Sequence, residues 1–95
     1  MPTKMKNTYG HCSGVLKAGE FTFEWKDGNP VAITFSNPDC KMAHGRCSVH
    51  IKRGEPDYPF FGWDGNFEKP TLTPSVGCDH ICGWHGHITA GVILP

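Results

Sequence analysis

Two thiols and three imidazoles fall within ten positions, Cys78-Asp79-His80-Ile81-Cys82-Gly83-Trp84-His85-Gly86-His87. The contained pattern C-x3-C-x2-H resembles a ligand knuckle, in which a tight turn aims sulfur and nitrogen at one centre. Zinc takes such ligands four at a time in a tetrahedron. The feature constrains the fold because the domain is small. A chain of 95 residues is expected to form one domain, and it buries only roughly 60–65% of its unfolded surface. A structural metal supplies roughly 10–16 kcal/mol in zinc-finger peptides.

The residues 1–19 read as an irregular N-terminal segment, and 20–95 as a β core carrying the metal knuckles. Phe21-Thr22-Phe23-Glu24-Trp25 and Val31-Ala32-Ile33-Thr34-Phe35 alternate apolar and polar. Both are expected to be half-buried strands with Phe21, Phe23, Trp25, Val31, Ile33 and Phe35 inward. Lys26 to Pro30 is a turn by composition, predicting a hairpin with a longer loop. Cys47, Val49 and Ile51 share one parity and point inward on a third strand, which leaves His50 outward. Residues 53–59 form a loop, and Phe60-Phe61-Gly62-Trp63 is dense in aromatics. Pro70 and Pro74 each lack a backbone donor, so 69–76 is expected at an edge or as an extended segment. The stretch 87–94 reads as strand, tight turn, strand, with Gly91 in the left-handed position. No segment carries a sustained 3.6-residue period. The expected fold is therefore all-β: a small zinc-stabilised domain of short antiparallel strands and hairpins with long Gly/Pro-rich loops.

A single ion needs separated pieces of chain to converge. Cys82 and His85 supply one pair, and Cys40 and Cys47 the most natural second pair. His44, Cys78 and His80 are alternates. Cys12 stands alone and reads as a buried small residue. Five cysteines with no apolar leader point to a reducing compartment, where thiols bind metal rather than pair. The expected cofactor is Zn2+. Cys82-Gly83-Trp84-His85-Gly86 also looks like half of a Rieske motif, with Cys78-Asp79-His80 as the other half. One intervening residue, Ile81, cannot place the halves on two facing loops. A zinc hydrolase is a further reading, with His80 or His87 beside an open coordination position and Asp64 or Asp79 as acid or base. A Cys78–His80 nucleophilic pair has no identifiable orienting group.

Nine basic and nine acidic residues give zero formal charge, and no basic block marks a nucleic-acid footprint. No stretch approaches membrane-spanning length. The expected location is the cytoplasm of a bacterial host or a virion, without secretion by a signal peptide.

The run Phe61-Gly62-Trp63-Asp64-Gly65-Asn66 … Pro70-Thr71-Leu72-Thr73-Pro74-Ser75-Val76, with His85-Gly86-His87-Ile88-Thr89-Ala90-Gly91, resembles a family of small proteins of unknown function. They occur in bacteriophages, prophages and bacteria. Its hallmarks are W-x-G-N, P-T-x-x-P-S and a Cys/His turn. The resemblance implies an upstream pair at Cys40 and Cys47 and a downstream turn at Cys82 and His85. This chain places Ala90 where Asn or Asp commonly precedes the glycine. The resemblance brings no established reaction, and the chain is expected to be a phage-type zinc-binding protein acting as a binding or assembly module, either a virion component or a host-interaction protein. Its partners would be other proteins, through self-association or with phage or host proteins. Its exposed rim would run from Tyr58 to Phe67.

Overall fold

The computed structural model describes residues 2–9, 16–37, 46–57, 59–77 and 85–94. Among these there is no helix. Nine strands form one sheet: β1 (Thr3–Lys4), β2 (Lys6–Asn7), β3 (Glu20–Lys26), β4 (Asn29–Ser36), β5 (Arg46–Arg53), β6 (Phe61–Trp63), β7 (Leu72–Gly77), β8 (His85–Thr89) and β9 (Val92–Leu94). The spatial order is β1-β9-β8-β7-β6-β5-β4-β3-β2. The all-β expectation holds. The pairing is mixed, however, because β2 lies parallel to β3 and β5 parallel to β6.

The two ends of the sheet are one piece of chain. Thr3 and Lys4 pair with Ile93 and Val92, and two residues later Lys6 and Asn7 pair with Glu20 and Phe21. Between them the Met5 amide donates to the Gly91 carbonyl at 2.8 Å. The sheet therefore rolls into a nearly closed barrel, which leaves few strand edges unpaired. This corrects the irregular reading of the N-terminal segment. Two-residue strands carry too little pattern to be seen locally; their partners make them. Asn7 is buried, its side-chain amide donates to the Phe67 carbonyl at 2.9 Å, and its Oδ1 accepts from the Tyr9 amide at 2.8 Å.

The core gathers Phe21, Phe23, Ile33, Phe35, Cys47, Ile51, Trp63, Leu72, Val76, Ile88 and Ile93 from seven strands. Parity works for Phe21, Phe23, Ile33, Phe35, Cys47 and Ile51, and His50 faces outward as expected. It fails for Trp25, which is 55% exposed. The hairpin tip runs beyond the end of the core, and Trp25 instead stacks on Phe67 with centroids 5.7 Å apart. The connection is also tighter than expected. Asp27 and Gly28 both take positive φ, 52° and 79°, and Asn29 and Pro30 belong to β4. Two left-handed residues are what a two-residue hairpin needs.

The proline-rich stretch is not at an edge. β7 sits between β6 and β8. Leu72 pairs with Ile88 and Val76 with Gly86, so four steps along β7 match two along β8. Pro74 lies in this shifted stretch, where its missing amide interrupts no ladder pair.

The β8–β9 turn places both Ala90 and Gly91 at positive φ, 48° and 74°. Alanine pays a steric cost there that asparagine largely avoids. Ala90→Asn should raise stability by about 0.5–1 kcal/mol, read from the midpoint of urea unfolding. Asn7→Ala should lower it by about 1–3 kcal/mol, because it strands the partners of a buried amide.

Candidate functional site

The segment before the site is built by side chains of the W-x-G-N and P-T elements. Trp63 is buried, and its indole Nε1 donates to the Asn66 carbonyl at 3.1 Å. Asn66 Oδ1 accepts from the amides of Glu68 and Lys69 at 2.9 and 2.8 Å. Asp64 Oδ1 accepts from the amides of Asn66 and Thr71 at 3.0 and 3.2 Å. Asp64, expected as an acid or base, thus has its Oδ1 committed to holding the loop. Thr71 Oγ1 accepts from the Ala90 amide at 2.8 Å, which ties this loop to the β8–β9 turn. These contacts fix where β7 begins.

On β7 and β8 the burial alternates. Leu72, Val76, Gly86 and Ile88 are buried, whereas His85 and His87 are exposed and Ser75 and Gly77 are half-buried. Gly77 pairs with His85. Ser75 and Gly77 on β7 therefore share the outer face with His85 and His87 on β8. Across that face Ser75 Oγ and His85 Nε2 lie 2.8 Å apart. Cross-strand diagonal neighbours are within reach of a long or aromatic side chain. Gly77 makes the geometry available. A Cβ built there would stand 2.5 Å from His85 Nδ1 and 3.1 Å from Cγ. The imidazole lies over the glycine and reaches the serine.

A serine hydroxyl beside the Nε2 of an imidazole is the pair that activates oxygen nucleophiles: the ring takes the hydroxyl proton as the oxygen attacks. Fold and site together define a small, nearly closed β-barrel that carries a serine–histidine pair on its outer face. The chain belongs to the BubE family, described as bacterial ubiquitination-like system serine protease, whose family model matches residues 10–95. Among curated proteins and solved structures, nothing matches the chain.

The family match overturns the expectation of a phage-type zinc-binding module, whether virion component, structural protein or host-interaction protein. It equally displaces the metallohydrolase and iron–sulfur alternatives as the account of function. The expectation erred because it assigned the clustered thiols and imidazoles, Cys40, Cys47, Cys82 and His85, to an ion and sought a nucleophile only among cysteines. Of the expected ligands, Cys47 and His85 fall on described residues. Cys47 is buried in the core, and His85 has its Nε2 on Ser75. Cys40 and Cys82, the alternates His44, Cys78 and His80, and Cys12 and Asp79 lie outside the described residues. Among the described residues, no three His, Cys, Asp or Glu side chains come together as a metal site, and no helix is long and apolar enough to cross a membrane. The expected aromatic rim divides. Trp63 is core, Phe61 packs against the core, Phe60 and Phe67 are 40% and 36% exposed, and Tyr58 lies outside the described residues. Ser75 stood inside the P-T-x-x-P-S element without a role. The signal for it is a serine and a histidine ten positions apart, on strands joined antiparallel.

If the imidazole depends on the missing side chain at position 77, Gly77→Ala should push it off Ser75. The expected result is a fall of roughly 100-fold in Ser75 reactivity, the scale of an ångström-sized misplacement. Reaction with a serine-directed fluorophosphonate measures it, and circular dichroism should show an unchanged β signature.

Proposed function

We propose that the chain is a serine peptidase in which Ser75 is the nucleophile and His85 the general base. Its substrate is a ubiquitin-like modifier, cleaved from an extension or from a conjugate at the carbonyl that ends it. The 2.8 Å contact between Ser75 Oγ and His85 Nε2 carries this reading, and the family description supports it. Ser75 Oγ attacks the scissile carbonyl carbon while its proton passes to His85 Nε2. When the tetrahedral intermediate collapses, the C–N bond breaks and His85 returns the proton to the departing amine. The acyl group is now an ester of Ser75. Water, deprotonated by the same nitrogen, attacks that ester and releases a carboxylic acid and the free hydroxyl.

The pair stands on two rigid strands of one sheet, which holds the oxygen and nitrogen in register. Its outer-face position leaves it open to a protein substrate. A chain terminus or conjugate junction on a folded modifier can reach such a surface.

Ser75→Ala and His85→Ala should each lower the cleavage rate of a modifier fusion by roughly 10³-fold or more, and the double variant should lose little beyond either single change. Single-turnover cleavage on gels gives the rates. A Ser75→Ala protein that cleaves at the native rate would overturn the assignment.

A further inference from the structure

The sheet order places different surroundings on the two flanks of Ser75. β8, with His85, lies on one side of β7, and β6 lies on the other. On the β6 side a groove of about 370 Å³ is lined by Pro56, Pro59, Phe60, Phe61, Pro74 and Ser75. Apart from the serine, every lining side chain among the described residues is apolar. The groove exists because Gly62 has no side chain. A Cβ there would meet the Gly54 carbonyl oxygen at 2.6 Å and the Pro56 nitrogen at 2.9 Å. The loop therefore lies against β6. Asp57 and Phe60 close it with reciprocal backbone hydrogen bonds of 3.0 and 2.7 Å, and Lys52 Nζ reaches Asp57 Oδ2 at 3.3 Å. Phe60 is presented at the rim, its ring 6.0 Å from that of His50.

The direction of the reaction assigns the flanks. The leaving amine must collect its proton from His85, so it departs over β8. The acyl half of the substrate must then extend over the opposite flank. We infer that the groove lined by Pro56, Pro59, Phe60, Phe61 and Pro74 is the acyl-side specificity pocket, and that it takes an apolar side chain on the residue whose carbonyl Ser75 attacks. This rests on the Ser75–His85 reading and adds to it the class of residue that precedes the scissile bond. An apolar side chain there leaves water for an apolar wall. A lysine or glutamate side chain would lose hydration with no charged partner among the described lining residues. Phe60 is the specificity-determining residue, because it is exposed on the rim rather than part of the core.

Peptidyl diphenyl phosphonates that differ only in the side chain beside phosphorus, Leu, Phe, Gly, Lys or Glu, test the assignment. Ser75 modification is timed by mass spectrometry of the full chain. The Leu and Phe reagents should react at least roughly tenfold faster than the other three, and Phe60→Ser should remove that advantage. Equal rates across the series, or faster reaction of Lys or Glu, would overturn the pocket, and the wild-type series alone decides this. So would a Phe60→Ser protein slowed equally towards every reagent. A small fluorophosphonate separates the two readings. If it modifies Ser75 while the peptidyl series is flat, only the pocket fails. If neither reagent class modifies Ser75, the nucleophile and the pocket fail together.

Discussion

The site depends on a mismatch of two residues between neighbouring strands. β7 takes four steps from Leu72 to Val76 while β8 takes two from Ile88 to Gly86. Inserted residues bend a strand and re-aim its side chains. Here they place Thr73, Pro74 and Ser75 in the stretch without a pairing partner on β8. Pairing resumes at Val76 and Gly77, so the next outward residue on β7 is a glycine and the one opposite it is His85. One position brings the hydroxyl forward and the other lets the ring lie flat towards it. The seat for the ring is thus the glycine that this register sets opposite His85.

The remaining chain holds that mismatch in place. β7 can tolerate it because both neighbours are anchored. The Asp64–Thr71 loop pins its start through backbone amides, and Thr71 pins the turn after β8. The N-terminal segment then joins β9 to β3 and covers part of the edges that a small sheet would otherwise expose. Residues remote from the serine are therefore part of its support. Asn7 is the clearest case, because it links the N-terminal segment to Phe67. Phe67 contacts the rings of Phe23, Trp25 and Trp63, and so covers one end of the core.

Period-two alternation makes the fold class and much of the core legible in the chain: Phe21, Phe23, Ile33, Phe35, Cys47 and Ile51 obey it. It does not show where the core ends, so Trp25 reads as buried. It says nothing of two-residue strands, whose existence is a property of their partners. Proline statistics place β7 at an edge because they describe unbroken ladders, and an interrupted ladder accepts Pro74 in the middle of a sheet. For the site, the outward parity of His85 was available. The density of cysteine and histidine around it favours a metal by composition, and a lone serine carries no compositional signal at all. Only the register between β7 and β8 reveals the pair, and register is a tertiary fact.

A crystal structure of the protein after reaction with a serine-directed fluorophosphonate examines the central assignment most directly. The account expects phosphorus bonded to Ser75 Oγ, with His85 Nε2 within hydrogen-bond distance of that oxygen and its ring resting over Gly77. Phosphorus on a different residue would contradict it. So would an unmodified Ser75 with the His85 ring turned away to bind an ion.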